Sequence, residues 1–162
     1  METDEELIDA VLGASRALVA VAARSLVHVA EDVTLVQYRV LVELAARGPQ
    51  RLVDLAAVLG VDPSTATRMC DRLVRKGLVS RRRASADRRT VRVTLAPSGR
   101  DVVADVTRSR RAELATVLAR LPQSDRSPVL AALRGFASAA GELPEQEWSL
   151  GWCLGTGSAA EE

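Results

Sequence analysis

Residues 64–75 set three short hydroxyls, Ser64, Thr65 and Thr67, ahead of three guanidiniums, Arg68, Arg72 and Arg75. The chemistry open to such groups is hydrogen bonding and charge. A hydroxyl reaches one base edge or one phosphate oxygen, and an arginine fork matches the paired acceptors of guanine. A second basic group, Arg88 and Arg89, is preceded by Asp87. Arg89 could enter a minor groove there, with the Asp87 carboxylate orienting its guanidinium. Asp87 alone would repel phosphate, so its value lies in that pairing. Covalent chemistry has no matching set of residues. There is one His, and Cys70 and Cys153 have neither metal-ligand spacing nor the pattern of a disulfide framework. A phosphate-cradling Gly loop and paired carboxylates in an apolar setting are also missing. No enzyme activity, cofactor or metal is expected.

A solvated helix face can have the same composition, and the charge along the chain separates the two readings. The whole chain has a formal net charge of +1, but residues 51–100 carry 12 Lys and Arg against 4 Asp and Glu. Residues 1–50 are net −4 and residues 101–162 net −3. The hydroxyls and guanidiniums therefore sit in a local electropositive segment between acidic flanks.

The element that must hold them is a helix with both ends written in. Asp62 is a good N-cap, Pro63 suits the first helical position, and Gly77 suits the left-handed residue that closes a helix. Ala66, Met69, Cys70 and Leu73 fall on the opposite, apolar side. Just upstream, Leu52, Leu55, Ala56 and Leu59 recur at helical spacing and stop at Gly60. Two short helices joined by a three-residue turn with Gly outline a helix-turn-helix. Downstream the period changes. Leu78, Val79 and Ser80 lead to Arg81, Arg82 and Arg83, and Val91, Val93 and Leu95 alternate with Thr90, Arg92 and Thr94. This reads as a β-hairpin whose basic tip carries Asp87, Arg88 and Arg89, a wing.

Longer helices flank this unit. Thr3 and Glu6 form a capping box ahead of Leu7, Ile8, Val11, Leu12, Leu18, Val19, Ala22 and Leu26. So much apolar surface suits packing against a second copy. His28, near the end of that stripe, reads as a partly buried packing residue. Thr34 and Gln37 open a helix over Leu35, Tyr38, Val40, Leu41 and Leu44 that stops at Gly48 and Pro49. Pro97 starts another long helix running to Pro122, with Ala96 a poor N-cap; Arg108, Arg110 and Arg111 interrupt its apolar stripe. A last helix, residues 124–140, presents Val129, Leu130, Leu133, Phe136 and Ala137. From Gly141 the pattern stops. The acidic, Gly- and Ser-rich remainder is expected to be largely disordered, with Trp148 and Trp152 able to dock on a neighbour. The expected organisation is 5–33 and 97–141 for dimerisation, 34–96 for the winged unit and 142–162 for the tail. The acidic N-terminus argues against a secretory signal, and the longest apolar run, residues 17–23, is too short to span a bilayer. A cytoplasmic protein with no membrane partner is expected.

Read together, these motifs resemble the MarR (multiple antibiotic resistance regulator) family over residues 5–141. The resemblance rests on Gln37-Tyr38-Arg39-Val40-Leu41, Leu55-Ala56, Leu59-Gly60-Val61 and Asp62-Pro63-Ser64-Thr65-Ala66-Thr67-Arg68. Asp71-Arg72-Leu73, Gly77-Leu78-Val79, Asp87-Arg88-Arg89, Val93-Thr94-Leu95 and Gly99-Arg100 add to it. It implies a mainly α fold with a small β-hairpin wing, a winged helix-turn-helix flanked by N- and C-terminal dimerisation helices. It also implies a homodimer that binds palindromic double-stranded DNA, usually as a repressor. By motif position, Ser64, Thr65, Thr67 and Arg68 would read bases and Arg89 a minor groove, supported by Asp87. Ala96 departs from the Thr cap usual in the family, and the tail lies outside the family pattern.

The resemblance also implies a small-molecule effector between dimer helices and winged unit. Leu12, Leu26 and Tyr38 would line that cleft, which suits a hydrophobic or weakly acidic ligand. Two other readings compete. Redox sensing would need a reactive cysteine, whereas Cys70 falls on a core face and Cys153 in the tail. A winged helix used only for protein contact would show no affinity for duplex DNA.

Overall fold

The computed structural model describes residues 3–83 and 91–149. Six α-helices and a three-stranded antiparallel sheet are found among them. Helix α1 is Asp4–Val29, and α2 is Leu35–Arg47. Both open on reciprocal capping boxes, Thr3 with Glu6 and Thr34 with Gln37. Each box satisfies backbone N–H groups that the first turn leaves without partners.

Strand β1 (Gln50–Arg51) leads into α3 (Leu52–Leu59), and α4 (Pro63–Arg75) follows after a three-residue turn. Gly60 closes α3 at φ 63°, a left-handed conformation that glycine adopts without steric cost. The β2 (Val79–Arg83) and β3 (Val91–Leu95) strands pair antiparallel, with Val79 opposite Leu95 and Arg83 opposite Val91. The expected hairpin gains a third strand, because Gln50 and Arg51 pair with Val93 and Arg92 on the outer edge of β3. Two residues are too few to show a period of two, so the sequence carried no trace of it.

Helix α5 (Pro97–Leu118) starts without a side-chain cap at Ala96, and α6 (Arg126–Ala139) follows a 3-10 turn at Gln123–Asp125. The core of the winged unit is built from Val40, Leu41, Leu44, Leu55, Cys70, Leu73, Val93, Val103 and Val106. Helices α2, α4 and α5 thus share one apolar centre, which fixes the direction in which α4 shows its other face.

The apolar surface of α1 exceeds what its own chain covers, as expected, while the reading of His28 changes. Its buried residues are Val21, Ser25 and Leu26, while Leu7, Ile8, Leu12, Leu18 and Val19 stay exposed, Leu7 at 63%. His28, one residue from the end of α1, is exposed rather than partly packed. The packed part of α1 is held by Arg24, 2.7 Å from Glu113, and by Ser25 donating to the same carboxylate. The longest uninterrupted apolar run is short, yet α1 as a whole is long and apolar enough to cross a membrane by length and composition alone. In this fold the C-terminal part of α1 packs through Val21, Ser25 and Leu26, and the N-terminal run of the same stripe, Leu7 to Val19, stays open.

Glu43 is the other feature that patterning could not place. It is 3% exposed in the middle of α2, where Arg47 Nε approaches to 2.6 Å and Gln50 Nε2 donates at 3.3 Å. A carboxylate removed from water needs such donors, since desolvation otherwise disfavours its charge.

Candidate nucleic-acid interface

Asp62 organises the leading end of α4. Its carboxylate accepts from the Ser64 hydroxyl, from the Thr65 hydroxyl at 2.7 Å and from the Thr65 backbone N–H at 3.0 Å. These bonds, led by Ser64, hold the Asp62 carboxyl well below the ordinary carboxylate range. The Arg68 guanidinium donates to Thr65 Oγ1 at 3.2 Å, so residues 62, 65 and 68 form a hydrogen-bonded line along one edge of the helix. Thr67 Oγ1 turns back to the Pro63 carbonyl at 2.8 Å.

Ser64, Arg68, Arg72 and Arg75 are exposed, and Thr65 and Thr67 are half-buried. Their spacing places the arginines on one solvent-facing side, opposite buried Ala66, Cys70 and Leu73. Among the described residues, no carboxylate forms an ion pair with Arg68, Arg72 or Arg75. The face therefore keeps its positive charge for an external anion. Asp87, Arg88 and Arg89 lie outside the described residues.

Asp71 and Arg81 form a contact that reading along the chain passed over. Arg81 Nη2 lies 2.7 Å from Asp71 Oδ1 and 3.5 Å from the Thr67 carbonyl, tying the middle of β2 to the middle of α4. The bond fixes β2 against the exposed side of α4. Asp71 sits in a helix and Arg81 in a strand, so no local spacing advertises the pair.

The cap gives a pH test with a definite sign. A depressed carboxyl stabilises the fold fully above its unfolded value and loses that contribution as pH falls through the folded value. Asp62→Ala is therefore expected to unfold at lower urea than the parent at neutral pH. That gap should stay constant above about pH 5 and narrow below about pH 4. A gap that does not change with pH would show that the charge on Asp62 contributes nothing.

Leu12, Leu26 and Tyr38 do not form one site within a single copy. Leu26 and Tyr38 are buried in the core, whereas Leu12 is 50% exposed and about 21 Å up α1 from Leu26. Burial raises the Tyr38 phenol above its ordinary value, against the lowering influence of Thr107 and Arg110 beside it. Arg110 Nε is buried with no hydrogen-bond partner among the described residues. A groove of about 460 Å³ lies between α5 and α6 and is lined by Leu118, Leu121, Val129, Leu130 and Leu133. Cys70 is 1% exposed, and burial pushes its thiol up, away from the reactive thiolate.

Comparison with known proteins places this geometry. The MarR family model matches residues 33–91, the stretch from the start of α2 to the start of β3. The chain is similar to the multiple antibiotic resistance protein MarR of Salmonella typhimurium, 41% identical over 68 residues. That match covers 42% of this chain and 47% of the relative, so the chain spans about half the length of that curated relative. It is also similar to the HTH-type transcriptional repressor MdtR of Bacillus subtilis, 32% identical over 95 residues, 59% of this chain and 61% of the relative. Among solved structures, RV1404 from Mycobacterium tuberculosis superposes with a TM-score of 0.82 at 41% identity. That alignment covers 89% of this chain and 99% of the other.

Proposed function

The chain belongs to the MarR family, and from that premise we propose that it is a cytoplasmic, DNA-binding transcriptional regulator acting as a repressor. In this reading a homodimer sets two α4 helices into successive major grooves of a palindromic operator. The observation that carries it is the open face of α4, where Arg68, Arg72 and Arg75 are exposed and form no ion pair among the described residues, within a net +8 segment. Ser64 and Thr65 give their hydroxyl hydrogens to Asp62, so their oxygens would meet DNA as acceptors, suited to adenine or cytosine amino groups. Arg68 is oriented by Thr65 and would serve guanine or phosphate. Arg72 and Arg75, further along, would take phosphates, and Arg88 and Arg89 on the wing would reach the flanking minor groove, with Asp87 in support.

The second copy would cover the apolar faces of α1 and α6, where Ile8, Leu12, Leu133 and Phe136 are at least half exposed. A hydrophobic or weakly acidic effector would bind near Tyr38, where the open Nε of Arg110 supplies a donor and the partner's helices complete the wall. The burial of Cys70 speaks against a cysteine switch.

Fluorescence anisotropy with labelled genomic duplex tests the reading. A dimer neutralising about six phosphates should lose about 10³-fold in affinity between roughly 50 and 200 mM salt. Half-site centres should lie about 10 bp apart. A chain that binds no duplex, or binds it without regard to salt, would leave a protein-contact module instead.

A further inference from the structure

The segment after α6 departs from its expected role. Residues 142–149, expected to begin a loose tail, lie across α2 and reach α5. Glu142 Oε1 is 2.6 Å from Arg39, and Arg47 donates to the Gly141 carbonyl at 2.7 Å. Both arginines also flank buried Glu43, so the segment is anchored on the same charged cluster. A 3-10 turn at Glu145–Glu147 brings Glu145 onto Arg111 of α5. Trp148 then packs partly buried against the core and donates from Nε1 to the Leu143 carbonyl at 3.1 Å. Ser149 completes the docking. Its N–H donates to the Ala46 carbonyl at 2.9 Å and its hydroxyl to the Ala45 carbonyl at 3.0 Å, at the end of α2.

We propose that residues 141–149 are a strap that fastens the winged unit, through α2, to the long helix α5. Exposed ion pairs contribute little one by one. The burial of Trp148 and the two Ser149 bonds to the last turn of α2 therefore hold the strap down, while Glu142 and Glu145 set its register. A fastened unit has fewer orientations to lose on binding, so the strap preorganises the spacing of α4 in the dimer. The docking is independent of the regulator reading; its effect on duplex affinity rests on it.

The test uses the full chain with Trp152→Phe, which leaves Trp148 as its single tryptophan. Glu145→Arg places a cation against Arg111, and Ser149→Pro removes the backbone donor to Ala46. Each should shift Trp148 emission to longer wavelength and raise its acrylamide quenching toward that of a free indole. Adding Arg111→Glu to Glu145→Arg should restore both signals. Both single variants should weaken duplex binding about fivefold or more, in the range of ordinary coupling between sites. If Trp148 in the Trp152→Phe chain is already as accessible as free indole, or both variants leave it protected, there is no strap. Released Trp148 with unchanged or tighter duplex binding would overturn its preorganising role. A parent that binds no duplex while Trp148 still reports release would remove the regulator reading and leave the strap standing.

Discussion

Gly99→Ala is expected to destabilise the folded chain by about 3 kcal/mol, at the upper end of overpacking costs. For a chain of this size that is a fall in Tm of roughly 6–12 °C. Gly99 is buried in the first turn of α5, where a Cβ would stand 2.1 Å from the Leu78 carbonyl oxygen and 2.8 Å from Leu95 Cδ1. The leucine side chain could rotate away, but the carbonyl cannot. It already accepts from the Ala96 N–H at 3.0 Å and lies on the turn from α4 into β2. Relief would need α5 to lift off the winged unit, loosening Val103 and Val106 from the shared core. Ser98, which donates to the Gly77 carbonyl at 2.6 Å, would be pulled from the same turn. Thermal unfolding followed by circular dichroism, at one fixed protomer concentration, reads the change, since a dimer's Tm depends on concentration. A Tm within a degree of the parent would mean that the close approach does not hold the two units together.

Arg68→Ala should leave Tm unchanged and weaken operator binding about 10²-fold or more. The side chain is exposed, so its removal opens no cavity. A bidentate base contact is worth about 1–3 kcal/mol, and a symmetric dimer loses it twice. The Asp62–Thr65–Arg68 line makes the effect specific to arginine, because it fixes the fork before DNA arrives. Arg68→Lys keeps the charge but not the fork and should recover only a small part of the loss. Binding measured against single-base operator variants separates a base contact from a phosphate contact. If Arg68→Ala lowers affinity equally on every sequence, Arg68 touches backbone. If it changes nothing, α4 does not read DNA through this face.

The fate of individual residues shows where reading along the chain succeeds. Thr3, Thr34 and Asp62 were legible as caps because the bond that defines a cap spans three residues. The two faces of α4 were legible because helical spacing alone puts Ala66, Cys70 and Leu73 opposite Arg68 and Arg72. The apolar stripe of α1 was read as more surface than its own chain would cover, and only Val21 and Leu26 of its apolar residues are buried; which ones needed the structure. Periodicity shows that a face is apolar without saying which part of it the same chain covers. The hydroxyls of Ser64 and Thr65 were foreseen as groove contacts, but that Asp62 already holds their hydrogens needed coordinates.

From sequence alone came the capped helices, the helix-turn-helix, the basic middle segment and the kinship those motifs carry. The caps and helix faces follow from residues within a turn or two of each other, where backbone geometry leaves few choices. The charge balance and kinship follow from residue types that need no contacts to be read. Tertiary structure alone decided that Gly99 must be glycine, that β1 exists, that Asp71 holds Arg81 and that residues 142–149 return to α2. Each of those depends on groups far apart in the chain meeting at contact distance. Such meetings are set by how the helices pack, and packing leaves no periodic mark on either partner.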